Sequence, residues 1–210
     1  MRPRSGFRIR HAVRRDLPQL YRVCLKTGRA GEDAGDLYDD GNLLGHLYVG
    51  PYVCLEPDLA YALEDADGIC GYVLAALDTE RFFEQYRREW LPPLQRRIPE
   101  PTEEWDRLPA SDRLRWRIHH PTLVFPDVLA PFASQLHVDL LPRAQGRGQG
   151  RALLEVLLAS LLEMRSPGVH LEMDPANRRA EGFYRHLGFS PVHSPDLPAN
   201  ARYLVRKLVG

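Results

Sequence analysis

No two cysteines in this sequence stand at C-x-x-C spacing, and Cys24, Cys54 and Cys70 form an odd, scattered set. That pattern gives no disulfide framework and no zinc knuckle, and it fits a reducing cytosol. An excess of one charge is also missing, since Lys plus Arg and Asp plus Glu number 28 each. The chain therefore has no global field to draw it to a polyanion, and nucleic acid is not an expected partner. No apolar run approaches the ~18 residues of a membrane span, and the basic opening MRPRSGFRIRHAVRRD has no apolar stretch behind it such as a leader needs. Repeats and low-complexity tracts are absent too. What remains, 44% hydrophobic and 27% charged residues over 210 positions, is an ordinary globular composition with enough apolar residues for a sizeable core.

Periodicity divides the chain into elements. FRIRHAV (7 to 13) alternates like a half-buried strand, and RDLPQLYRVCLKTG then reads as a helix with Asp16 as its N-cap. The stretch from 28 to 56, rich in Gly and Asp, predicts loops and short helical turns facing a substrate, with the acidic run EDAGDLYDD at the mouth of an acceptor site. Residues 58 to 78 predict a hairpin turning at Asp65 to Gly68. TERFFEQYRREWLPPLQRRIP predicts a helix capped by Thr79 and stopped by Pro92-Pro93. Beyond it, up to Pro131, only SDRLRWRIHH has a helical pattern, so about 79 to 131 reads as an insertion. The remainder reads as strand SQLHVDLL, a long helix through GQGRALLEVLLASLLEM, strand GVHLEMD, a short helix NRRAEGFYRHLGF closing at Gly188, and strand ARYLVRKLV.

The sharpest local feature is AQGRGQGRALL (144 to 154), a glycine-punctuated turn at the mouth of a helix. Such turns hold phosphate groups on backbone N–H groups and on the positive helix end. A Walker loop would need Lys at 152 or 154, where Ala152 and Leu154 stand, and a G-x-G-x-x-G fingerprint would put its last glycine at Arg151 or Leu153. Both nucleotide loops fail. The pattern that survives is Q-x-x-G-x-G, filled by Gln145, Gly148 and Gly150.

That pattern resembles the acetyl-CoA pyrophosphate loop, [QR]-x-x-G-x-[GA], of the GCN5-related N-acetyltransferase (GNAT) superfamily. Asn177, Ala180 and Tyr184 also match the superfamily's later N-x-x-A-x-x-x-Y pattern. From about residue 51 onward the chain is similar to the acetyltransferase-like C-terminal domain of eukaryotic O-GlcNAc hydrolases, through E-D-x-x-G-[IV]-C-G-Y-x-L-x-x-x-D at 64 to 78. That eukaryotic domain lacks an intact coenzyme loop, whereas this chain keeps the glycines and resembles a free-standing bacterial relative. The resemblance implies an α/β GNAT fold: one domain over 1 to 210, with a mixed, mostly antiparallel sheet of six or seven strands flanked by helices. It implies acetyl-CoA as cosubstrate, an amine acceptor, and direct attack of that amine on the thioester. The alternative is an inactive module that binds acetyl-CoA or a protein. A monomer or homodimer fits either.

By the same resemblance Tyr184 protonates the departing thiolate and Asn177 holds the pantetheine arm. The backbone of Val138 and Leu140 meets that arm, and Gln145, Gly146, Arg147, Gly148, Gln149, Gly150 and Arg151 surround the pyrophosphate. Asn177 is equally a helix N-cap, and Tyr184 equally a packing residue beside Phe183. On SQLHVDLL the two-residue period sets Gln135, His137 and Asp139 on one face. Asp139 or His137 is the candidate base, with Glu172 a third choice. No metal site is expected, because His137 and Asp139 lack an evident third ligand. Carbohydrate hydrolysis is not expected either, for want of paired carboxylates at a recognisable setting.

Overall fold

A computed structural model of the chain describes residues 6–208. Seven strands, β1 (Arg8–His11), β2 (Ala60–Asp65), β3 (Gly68–Ala76), β4 (Ser134–Leu140), β5 (Gly168–Met173), β6 (Ser190–Val192) and β7 (Arg202–Lys207), form one sheet in the order β1-β2-β3-β4-β5-β7-β6. Every neighbouring pair is antiparallel except β4 and β5. The mixed, mostly antiparallel α/β sheet expected from the sequence is therefore present, and β6, three residues long and without a readable period, is the strand the sequence did not announce.

The α-helices among the described residues are α1 (Leu17–Thr27), α2 (Leu43–Tyr48), α3 (Gly50–Leu55), α4 (Thr79–Gln85), α5 (Leu91–Arg97), α6 (Ala110–His119), α7 (Gln149–Glu163) and α8 (Arg178–His186). They cover both faces of the sheet. Along α7 the residues Leu153, Leu154, Leu157, Leu158 and Leu161 repeat at three- and four-residue steps and are all buried, which seats the helix on the face of β2 to β4 that carries Tyr61, Val73 and Val138. The Tyr61 hydroxyl meets Ser160 Oγ of α7 at 2.7 Å. On the opposite face, under α1, lie Tyr72, His137 and Asp139, with Cys24 among them. The alternation of β4 thus separates an apolar side from a polar one as its sequence predicts.

Local chemistry departs from the expectations at three points. The helix after β3 does not stop at Pro92-Pro93. A π-helical turn over Tyr86–Trp90 leads into α5, where the prolines fall in the first turn and their missing N–H groups break no helical bond. The cap of α4 is Asp78, which accepts from Arg81 N at 3.0 Å, while Thr79 Oγ1 donates to Ala133 O at 2.7 Å and ties the helix to the entrance of β4. Asp16 occupies the N-cap position of α1 but makes no capping bond to it. Its buried carboxylate accepts from Arg10 Nη1 and Nη2 at 2.6 and 3.0 Å and from Val13 N at 2.9 Å, joining β1 to the turn before α1.

One feature of the sheet positions the site. The parallel pairing of β4 with β5 is confined to Ser134 with Val169 and Gln135 with His170, after which the strands diverge. Leu141 N donates to Cys70 O on β3, so by strand alternation Asp139 and His137 also turn their backbone groups to β3, and Val138 and Leu140 turn theirs into the gap.

Candidate active site

Below the gap the chain leaves β4, makes a 3-10 turn at Pro142–Ala144 and enters α7 through the glycine loop. Gly146 and Gly148 have φ of +70° and +76°, a left-handed backbone that disfavours any side chain, and a Cβ at either would meet nothing within 4 Å. The backbone therefore faces open space. The amide N–H groups from Gly146 to Arg151 donate to no group among the described residues, and the first bond of the α7 entrance is Ala152 N to Gly148 O at 3.1 Å. Unpaired amides at the start of a 15-residue helix are the donors an anionic phosphate needs. Gly150 serves packing instead, since a Cβ there would lie 3.1 Å from the Phe183 ring and its smallness lets α8 approach α7.

A cleft of about 580 Å³ is lined by this loop, the end of β4, the loop after α1 and α8. Of the residues proposed from the sequence, Val138, Asp139, Leu140, Gln145, Gly146, Gly148, Gly150, Arg151, Asn177 and Tyr184 line it. Arg147, Gln149 and His137 do not. Gln149 Nε2 turns back to Arg147 O at 3.2 Å, and Gln145 Nε2 donates to Leu140 O at 2.8 Å, so Gln145 braces the loop against the end of β4 with its side chain. Asn177 is an N-cap, its Oδ1 accepting from Ala180 N at 3.0 Å, and it lines the cleft as well. The two roles expected of it are compatible, because the cap uses the oxygen and leaves Nδ2 beside Gly31.

Tyr184 is buried, with its ring edge-on to Phe189 at 5.7 Å and beside Phe183 at 5.3 Å. Its hydroxyl has no partner among the described residues. Burial, and secondarily the charge of Asp139, hold its pKa well above the usual tyrosine value, so it stays protonated through the neutral range. On the face of β3 and β4 under α1, the Tyr72 hydroxyl donates to Asp139 Oδ2 at 2.5 Å and lies 3.0 Å from His137 Nε2, and His137 Nε2 is 3.2 Å from the same carboxylate oxygen. Cys24 is the third group that the sequence did not reveal: its thiol, the imidazole and the carboxylate all lie within 4.8 Å of one another. The Tyr72 hydroxyl sits between His137 Nε2 and Asp139 Oδ2, while His137 Nδ1 and Asp139 Oδ1 have no hydrogen-bond partner among the described residues. Burial raises the Cys24 pKa and keeps it a thiol. Glu172, the third candidate base, is exposed and takes the Tyr203 hydroxyl at 2.9 Å.

Sequence reasoning missed several residues here. Ala30 and Gly31, both at positive φ, bring the loop after α1 over the cleft. Arg179 lines it beside Arg151, and the doublet Arg178-Arg179 just inside the helix was the readable signal. The acidic run meanwhile turns out to be largely engaged within the protein: Asp33 pairs with Lys26 at 2.6 Å, Asp36 with Arg29 at 3.1 Å and Asp39 with Arg115 at 2.7 Å.

Comparison with known proteins matches these elements to a family. The Acetyltransferase (GNAT) family matches residues 133–189, the span from β4 through the glycine loop and α7 to α8. The crystal structure of SsHAT is 36% identical, with a TM-score of 0.89, and the match covers 98% of this chain and all of that one. The chain belongs to the GNAT acetyltransferase family. This GNAT chain is also 28% identical over 213 residues to Protein O-GlcNAcase of Rattus norvegicus, a match covering 96% of this chain but spanning only 22% of that relative's length. The fold recurs in yncA from Salmonella typhimurium, solved with its cofactor acetyl-CoA, at 13% identity and a TM-score of 0.55, covering 97% of this chain and 94% of that one. Among the described residues no helix is long and apolar enough to cross a membrane.

Proposed function

We propose that this protein binds acetyl-CoA in the cleft lined by the end of β4, the glycine loop and α8, and transfers its acetyl group directly to an amine. The observation that carries the reading is the run of unpaired amides from Gly146 to Arg151, set at a helix N-terminus and opening into a cleft that Tyr184 and Asp139 also line. The amides and Arg151 and Arg179 would hold the pyrophosphate, and the edge of β4 at Val138 and Leu140 would hold the pantetheine amides. Bound there, acetyl-CoA supplies an acyl group already activated as a thioester.

The remaining chemistry falls to side chains of this chain. Asp139 is the base we favour over His137, because it lines the cleft and His137 does not. Accepting a hydrogen bond from Tyr72, it is oriented to take the proton of an incoming amine. Tyr184, held protonated by burial, would donate to the departing sulfur as its bond to carbon breaks. Residues 79 to 131 then form an insertion beside the acceptor side of one acetyltransferase domain.

Calorimetric titration with acetyl-CoA, with desulfo-CoA and NAD as comparisons, tests the coenzyme, and Tyr184→Phe in an amine screen tests the acid. The variant should bind acetyl-CoA within about twofold of the parent and turn over roughly 10²- to 10⁴-fold more slowly. Binding without turnover of any amine would favour the coenzyme-holding module instead, and absence of binding would remove both.

A further inference from the structure

A second cavity, about 600 Å³ in volume, lies among α1, α2 and α5 and shares no lining residue with the acetyl-CoA cleft. Its size is that of a small-molecule site. One wall is the aromatic pair Tyr21 and Trp90, and two glycines fix that wall in place. A Cβ at Gly45 would lie 2.1 Å from the Tyr21 ring, and one at Gly50 would lie 2.4 Å from the Trp90 ring, so both rings rest directly on helix backbone. Their polar tips are used within the wall: the Tyr21 hydroxyl is 3.1 Å from His46 Nδ1, and Trp90 Nε1 donates to His46 O at 2.8 Å. Leu17, Pro93 and Leu94 continue the apolar lining.

The rim is cationic. Arg14 and Arg97 both line the cavity, both are exposed, and neither forms an ion pair or a side-chain hydrogen bond among the described residues. Glu89, a carboxylate on the same rim, is held by Arg88 at 2.8 Å. The positive charges reach inward, since Arg97 acts to lower the pKa values of Tyr21 and His46 and Arg14 that of the Cys54 thiol, although burial dominates all three. Burial keeps His46 below the usual imidazole value, so it stays neutral near pH 7 and the positive charge at this cavity comes from the two arginines.

A preorganised flat apolar wall with two unpaired guanidinium groups at its mouth matches one ligand chemistry. We infer that this cavity binds a small aromatic carboxylate, its ring against Tyr21 and Trp90 and its carboxylate on Arg14 and Arg97. The site is independent of the acetyl-CoA reading. The probe is 1-naphthaleneacetate, titrated calorimetrically into the full chain with and without saturating acetyl-CoA, with 1-naphthylmethylamine as the cationic counterpart. A dissociation constant below about 1 mM is expected, unaffected by acetyl-CoA and at least about tenfold weaker for the amine. An Arg14→Ala/Arg97→Ala variant, altered only at exposed positions, should keep its thermal midpoint and lose at least about tenfold in affinity for the acid. The inference is overturned by any of four results: no heat at millimolar acid, equal binding of the amine, displacement by acetyl-CoA, or affinity indifferent to the two arginines.

Discussion

Replacing Gly148 by Val separates a phosphate cradle from a turn that merely starts a helix. The backbone at 148 has φ of +76°, where an L-residue costs about 1–2 kcal/mol, and the new side chain would meet no protein atom within 4 Å of its Cβ. For a chain of this size about 1 kcal/mol corresponds to roughly 2–4 °C, so the thermal midpoint should fall by roughly 2–8 °C while the fold persists. Binding should suffer far more. The Val side chain would stand between the anion and the amides around it, and charge-assisted hydrogen bonds are worth about 1.5–3 kcal/mol each, so losing two implies a decrease of at least about 100-fold in acetyl-CoA affinity. Gly148→Asn is the control for strain. Asn tolerates left-handed backbone better than Val but still carries a Cβ, so most of the stability should return while affinity stays low. Calorimetric affinities beside thermal midpoints decide the matter, and a folded Gly148→Val protein that binds acetyl-CoA within about threefold of the parent would refute the cradle.

Three further expectations concern the framework. Gly45→Ala drives a methyl into the Tyr21 ring, which cannot give way because Gly45 and Gly50 both lie against that side chain; a loss of about 1–3 kcal/mol in urea unfolding is expected, and a neutral result would mean that α2 moves freely. Asp16→Asn leaves Glu64, at 2.9 Å, as the only carboxylate partner of Arg10 among the described residues and should cost about 2 kcal/mol, less than a fully buried pair because a quarter of the Arg10 side chain remains exposed. Since the Arg10 hydrogen bonds hold the Asp16 pKa below its usual value, its contribution is complete above about pH 4 and lost on further acidification, so the variant should match the parent in the most acidic unfolding curves. His170, with Nδ1 2.7 Å from Phe132 O, is kept neutral by burial, so stability from it is full above about pH 6.5 and declines as the pH drops toward its lowered folded pKa. His170→Asn should therefore lose less stability between pH 7.5 and 5.5 than the parent does, measured by chemical denaturation at both.

By itself the sequence determined what local physics determines. The two-residue alternation of SQLHVDLL assigned Val138 and Asp139 to opposite faces, the leucine spacing built α7, and Gln145, Gly148 and Gly150 marked a turn that only backbone amides could use. Asn177 and Tyr184 were legible through the resemblance of N-x-x-A-x-x-x-Y to the superfamily's pattern, not through any periodicity of their own. Tertiary structure decided whatever depends on elements distant in the chain. Tyr72 and Cys24 lie 67 and 115 residues from Asp139, and only the β3–β4 register and the docking of α1 bring them to it. The same holds for the acidic loop, whose charges are absorbed by Lys26, Arg29 and Arg115, and for the prolines of α5, made harmless by a π-helical turn that propensity cannot foresee. Composition and period are properties of a segment. The gap between β4 and β5, and the cavity floored by Tyr21 and Trp90, exist only where separate segments meet, because the close approach of each ring to a glycine backbone is fixed by packing.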